Sequence, residues 1–171
     1  IFGSRGLGDV YKRQPLDDDG DGGQGAVYIL FMNAANTVDS FQKISETAGN
    51  FSGDLFKQDQ FGYTVAADDI NGDGRKELFV GARLDDDGGT GNTERGAVWT
   101  LFLNADGTVD TYQKISATHG GFTGVLDVQD QFGYSVGAIG DINGDGTPDL
   151  GVGSPYDDDG GCLLYTSPSP R

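Results

Sequence analysis

The chain has one cysteine, Cys162, and one histidine, His119, in 171 residues. A lone cysteine forms no internal disulfide and fixes no redox compartment. Neither a Ser-His-Asp nor a Cys-His catalytic set can be assembled, because Cys162 lies in a terminal segment unlike the rest of the chain. Basic residues are also scarce: 11 Lys or Arg stand against 27 Asp or Glu, a formal net charge of -16. Such a chain is repelled by nucleic acid and by anionic membrane surfaces, and it attracts cations. No apolar run approaches the ~20 residues that a membrane span needs. No stretch shows the apolar stripe of an amphipathic helix.

Glycine and aromatics, by contrast, are plentiful. There are 30 Gly, 10 Phe and 7 Tyr, with 36% hydrophobic residues overall. A packed core is therefore available, and the acidity is not that of a disordered tail. Two end segments lack this texture. "SRGLGDVYKRQ" (4–14) and "CLLYTSPSPR" (162–171) resemble translated sequencing-adapter sequence. Residues 1–14 and 162–171 are set aside as non-native tails.

The body repeats itself. "GAVYILFMNAANTVDSFQKIS" (25–45) returns as "GAVWTLFLNADGTVDTYQKIS" (96–116), and "DQFGYTV" (59–65) as "DQFGYSV" (130–136), both offset by 71 residues. "DINGDG" at 69–74 returns at 141–146, offset by 72. Agreement of independent strings defines one structural unit of about 71 residues. Within the unit the periodicity is that of strands. "FGYTVAAD" (61–68) alternates, with Phe61, Tyr63 and Val65 expected on one face. "ELFVGA" (77–82) and "AVWTLFL" (97–103) are almost continuously apolar, as strands buried on both faces are. "TVDTYQKIS" (108–116) is more polar, and its Lys114, matched by Lys43, is expected to blunt an exposed edge. Trp99, with Tyr28 in the same place one unit earlier, is expected to pack in the core, and His119 to lie on the surface.

Four strands per unit, apolar on both faces and repeated, imply an all-β fold. The expected architecture is a β-propeller fragment of four-stranded antiparallel blades, one complete blade flanked by two partial blades. Residues 15–45 would hold strands three and four of one blade, 61–116 a complete blade, and 132–161 strands one and two of the next. Segments 46–60 and 117–131 would link them. A closed ring of roughly 7 such units needs about 500 residues, so this chain is a slice of one.

The repeated acidic loop carries the chemistry. "DINGDGRKE" places oxygen donors at positions 1, 3, 5 and 9: Asp69, Asn71, Asp73 and Glu77. "DINGDGTPD" offers Asp141, Asn143, Asp145 and Asp149. Position 7, Arg75 or Thr147, would add a backbone carbonyl. Alternating donors on a tight glycine turn wrap one ion, and hard oxygens select Ca²⁺ over transition metals. An EF-hand is excluded, because position 12 is Val80 or Val152 and the flanks are strands. A dockerin-like pair would lead into helices at a much shorter repeat. A metal-free acidic turn is the competing reading, and it weakens when the pattern occurs twice with an acid kept at position 9. The second loop is expected to hold its ion more tightly, because Arg75 and Lys76 bring positive charge beside Asp73.

"FGY", "DINGDG", "VGA" and "GAVW" together resemble the FG-GAP repeat of integrin α-subunit propellers, and more nearly its bacterial type, over about 15–161. The resemblance implies calcium in the hairpin between strands one and two. It implies ligand contacts on the opposite face, where loops 16–25, 84–96 and 156–161 join strands two and three. Glu77 departs from the usual Asp at position 9, and "VGAR" (80–83) from the usual Gly-Ala-Pro. The expected function is that of a structural or ligand-binding module of an extracellular or cell-surface protein, not an enzyme, with a protein or carbohydrate as partner. The alternative is a propeller portion of a larger extracellular enzyme such as a polysaccharide lyase or hydrolase.

Overall fold

The computed structural model describes residues 10–17, 22–87 and 93–158. The described residues form nine strands and no helix. The strands make three antiparallel sheets. The first joins β1 (Val10–Gln14), β2 (Ala26–Met32) and β3 (Val38–Ile44) in chain order. The second is a four-stranded blade of β4 (Phe61–Asp68), β5 (Glu77–Ala82), β6 (Ala97–Leu103) and β7 (Val109–Ile115). The third pairs β8 (Ser135–Gly140) with β9 (Asp149–Gly153). The architecture is all-β, with the blade sheets of a propeller.

The repeat extends to register. Val27 faces Ile44 across β2 and β3, and Val98 faces Ile115 across β6 and β7. Both pairs of strands carry a register shift at the same place, before Met32 and before Leu103. Two expectations change. Strict alternation in β4 fails, because the β4–β5 register shifts between Phe61 and Thr64. Gly62 there takes φ 86° and seats against the Ala26 carbonyl, so Phe61 enters the core while Tyr63 meets Tyr134, ring centroids 5.0 Å apart and planes tilted by 54°. Further, the ordered sheet begins ahead of residue 15. Residues 10–14 pair with β2 in the seat that β5 takes on β6. Backbone pairing on an open strand edge requires no particular side chains.

Cores form between sheets. One joins Val27, Ile29 and Ile44 of the first sheet to Leu78, Val80, Trp99 and Leu101 of the blade, with Phe51 and Leu55 from the connecting segment. The other sets Val98 and Ile115, on the blade's opposite face, against Phe132, Val136, Leu150 and Val152. Apolar residues on both blade faces are thus explained by a sheet on each side.

Neighbouring sheets are clasped backbone to backbone. Phe61 N–H donates to the Gln24 carbonyl at 2.7 Å, and Phe132 N–H to the Arg95 carbonyl at 2.8 Å. Gly25 bridges Phe61, and Gly96 bridges Phe132, in parallel. A Cβ built on either glycine would stand 2.1 Å from the next sheet's Phe carbonyl oxygen. Only glycine admits this approach, and each also sits at positive φ, 94° and 87°.

Gly96→Ala therefore combines a left-handed strain of about 1 kcal/mol or more with a backbone collision. Gly72→Ala carries the strain alone, since nothing lies within 4 Å of its added Cβ. Thermal melts are expected to show a clearly larger loss for Gly96→Ala; equal losses would contradict the clasp.

Candidate metal centre

The two acidic hairpins wind identically at most positions. Asp69 takes Gly72 N–H on Oδ1 at 2.7 Å and Gly74 N–H on Oδ2 at 2.8 Å. Asp141 takes Gly144 and Gly146 N–H in the same way, at 2.7 and 2.8 Å. Asn71 and Asn143 accept from the N–H of Asp73 and Asp145 at 2.9 and 2.8 Å. Asp73 and Asp145 in turn accept from the N–H of Arg75 and Thr147, each at 2.8 Å. The position-9 acids close the ring: Glu77 accepts Ile70 N–H at 2.9 Å, and Asp149 accepts Ile142 N–H at 2.7 Å. Such Asx turns curl the backbone around its own side chains, with Gly74 and Gly146 supplying positive φ.

The hairpins also differ. Glu77 is buried, and its longer side chain also takes Asn71 Nδ2 at 3.2 Å. Burial pushes the Glu77 carboxyl above its ordinary range despite the Ile70 N–H, and the charges of Asp73 and Asp69 add to the rise. Asp141 is held below its ordinary range by the N–H of Gly146, and Asp145 by the N–H of Thr147. Lys76 does not reach Asp73: its ammonium meets Asp68 Oδ1 at 3.2 Å. An exposed pair of this kind is worth ~1 kcal/mol or less.

The donor set suits a hard cation. All side-chain donors are oxygen, and every carboxylate retains lone pairs beyond those given to backbone N–H groups. Among the described residues no three carboxylates or imidazoles are by themselves gathered into a metal cluster. Coordination would thus draw on the Asn oxygens and position-7 carbonyls as well, with Asp69, Asp73 and Glu77, or Asp141, Asp145 and Asp149, supplying the charge.

At the opposite end of the strands the acids have other partners. Asp85 ion-pairs with Lys114 at 2.9 Å, and Lys114 Nζ lies 4.9 Å from the Trp99 ring centroid. Asp17 and Lys43, over Tyr28, repeat the arrangement at 2.8 Å. These lysines do not blunt an edge: they are neutralised beneath an aromatic ring. The repeated Lys with a repeated loop Asp was the available signal in the sequence. Asp86 Oδ1 caps the N–H of Thr93 and Glu94 at 2.7 and 2.8 Å. Asp87 Oδ2 gathers Ser116, Thr118 and His119 Nδ1 at 2.6, 2.8 and 2.6 Å. Burial raises the Asp87 carboxyl, but these bonds and the Lys114 charge outweigh it and hold it at about 2. His119 is exposed, as expected, and its Nδ1 also lies 2.9 Å from Thr118 Oγ1. Residues 18–21, 88–92 and 159–161 of these loops, and most of both tails, lie outside the described residues.

Asp59, in the repeated "DQFG", is fully buried. Its Oδ2 accepts Phe56 N–H at 2.7 Å, and its Oδ1 has no partner. Asp130 repeats this with Asp127 N–H at 2.6 Å and an unpartnered Oδ1. Burial, and then the Asp85 charge, lift Asp59 from 3.8 to about 8. Sequence reading missed this acid because nothing local marks it as buried.

Residues 61–101 match the sequence profile of the FG-GAP repeat family. The chain is 40% identical to human (Homo sapiens) integrin alpha-6 over 107 residues, 61% of this chain and 8% of that protein. It is 38% identical to integrin alpha-6 of Gallus gallus over 143 residues, 82% of this chain and 12% of that protein. It is 36% identical to integrin alpha-3 of Cricetulus griseus over 151 residues, 85% of this chain and 12% of that protein. The chain thus spans about a tenth of the length of the curated relatives it matches.

Asp59's folded value lies above its unfolded value, so the folded chain keeps a proton that the unfolded chain releases. The associated stability is fully present below about pH 4 and is lost as pH rises through about 8. Urea titrations from pH 5 to 9 are expected to show this decline, and Asp59→Asn to flatten it. An unchanged slope in Asp59→Asn would refute the assignment. Lys114→Met strands the Asp85 charge and is expected to cost about 3–5 kcal/mol by the same titration at pH 7.

Proposed function

We propose that this FG-GAP, integrin-α-like chain is a calcium-stabilised segment of a β-propeller, serving as a ligand-binding module of an extracellular or cell-surface protein. The observation that carries it is the duplicated hairpin: in two loops 72 residues apart, Asp69 and Asp141 accept the same pair of backbone N–H groups, and Asp73 and Asp145 the same one. Calcium has a structural role in this reading. The acids repel one another without metal, and Ca²⁺ ties the two strands of each hairpin in register. A site filled at 100 times its Kd would add about 2.7 kcal/mol. That is a substantial part of a typical ~5–15 kcal/mol stability. The metal ligands are Asp69, Asn71, Asp73, Glu77 and the Arg75 carbonyl, then Asp141, Asn143, Asp145, Asp149 and the Thr147 carbonyl. The opposite end is the surface for a protein or carbohydrate partner. Among the described residues Asp85, Asp86 and Asp87 are engaged with Lys114, backbone N–H groups and hydroxyls, which favours a preorganised loop scaffold there over a further ion site.

The second hairpin is the tighter site, now because Glu77 is buried and biased toward its neutral form whereas Asp141 and Asp145 are held ionised. Calcium is expected to raise the melting temperature, and calorimetric titration to show a larger loss of binding for Asp145→Ala than for Asp73→Ala. No calcium-dependent shift in melting would overturn the calcium reading. A larger loss for Asp73→Ala would reverse the ranking.

A further inference from the structure

Two groups that can condense with one another are held together in the dry part of the complete blade. Lys114 Nζ lies 2.9 Å from Asp85 Oδ2, and the two side chains are 11% and 0% exposed. Lys114 stands opposite Trp99 in the β6–β7 register, with its ammonium 4.9 Å from a ring centroid of that residue. The backbone on both sides of Asp85 is fixed: its N–H donates to the Ala82 carbonyl at 3.2 Å, and Gly96 N–H donates to its carbonyl at 2.9 Å. Its two carboxylate oxygens differ. Oδ1 accepts Asp87 N–H at 2.9 Å, whereas among the described residues no aligned hydrogen bond reaches Oδ2.

We propose that Lys114 and Asp85 join covalently, Nζ to Cγ, in an isopeptide bond that forms without an enzyme once the blade has folded. All the groups involved belong to the complete blade, and none is a proposed calcium ligand. The step balances within the pair. One ammonium proton passes to Asp85 Oδ2, leaving a neutral amine and a neutral acid. The amine lone pair attacks Cγ, and the C=O electrons move onto Oδ1, where Asp87 N–H stabilises the oxyanion. Nζ gives a second proton to Oδ2, the Cγ–Oδ2 bond breaks, and one water departs. The amide keeps Oδ1 as its carbonyl oxygen and one hydrogen on Nζ. No oxidant, reductant or co-reactant is needed.

Burial drives the first proton transfer. An ion pair taken out of water loses the hydration that supports its charges, and the neutral pair gains. A desolvated lysine amine is also the activated form of that nucleophile. Burial pushes the Asp85 carboxyl above its ordinary range despite the Lys114 charge. Asp87 Oδ2 lies 3.5 Å from the same ammonium, but it stays ionised and is no electrophile. Asp59, whose carbonyl accepts Leu84 N–H at 3.3 Å, holds a proton at neutral pH, so it adds no second negative charge to compete for the ammonium. Amide formation is uphill between free groups in water. Held in near-attack geometry, the same groups reach effective molarities of about 10⁵–10⁸ M. The repeat supplies a contrast. Lys43 Nζ makes an aligned hydrogen bond to Asp17 Oδ1 at 2.8 Å, with side chains 17% and 12% exposed. Both groups there keep some water, and that pair remains ionic.

Intact-mass measurement of the folded full chain, denatured only for the reading, tests this after incubation at neutral pH. The chain is expected to weigh one water less than its sequence. An imide at an Asp-Gly step such as Asp73-Gly74 loses the same mass, so fragmentation of a digest is expected to place the loss as a link between Asp85 and Lys114. Lys114→Arg keeps the positive charge without the amine and is expected to show its full mass. The reading on the parent chain requires no variant to fold. The proposal fails if the folded parent retains its full mass, if fragmentation places the loss elsewhere, Asp17 and Lys43 included, or if Lys114→Arg loses water as the parent does.

Discussion

The sheets meet backbone to backbone where one hands over to the next. Gly25 against Phe61 and Gly96 against Phe132 leave no room for a single methyl group. Short bonds from the N–H of Phe61 and Phe132 to the carbonyls of Gln24 and Arg95 lie beside each contact. That clasp sets the spacing of the sheets, and the spacing sets which side chains can fill the gap. Val27, Ile29 and Ile44 then meet Leu78, Val80 and Trp99, and the same geometry recurs one repeat later. Because the clasp is made of peptide groups and glycine, it tolerates little change, while the side chains between sheets vary from Tyr28 to Trp99 at one place.

A chain with so many acids must dispose of their charge, and it does so differently at its two ends. At the hairpin end, Asp69, Asp73, Asp141 and Asp145 remain at the surface and are held by backbone N–H groups. This is an arrangement open to a cation from solvent. At the other end Asp85 and Asp17 are neutralised by lysines under aromatic rings, and Asp59 by a proton. On the proposed calcium reading the first solution would make stability depend on a dissolved ion; the second makes it depend on pH. The two dependences are separable because the groups lie at opposite ends of the same strands.

Much of the fold was legible because it is written twice. Strands β5 and β6 fall on the very residues whose apolar pattern marked them, since a strand covered on both faces leaves a continuous apolar run; β4 keeps its expected bounds but not its strict alternation. The acidic hairpins were legible for a different reason: their donors are close in sequence, and a local loop can be read locally. Lys114 was misjudged because a lysine in a polar strand reads as exposed, whereas its partner Asp85 comes from a loop 29 residues earlier. Asp59 escaped notice for the same reason, its burial being imposed by neighbours distant in the chain.

The amino-acid order by itself determined the repeat length, the strand pattern and the two oxygen-lined turns, because each depends on neighbours within one hairpin. Only the tertiary structure decided which acids lose their water. It also decided that β1 caps β2. Burial is a property of what packs from outside the segment, and backbone pairing on a free edge is indifferent to side-chain identity; neither leaves a mark that a linear reading can find.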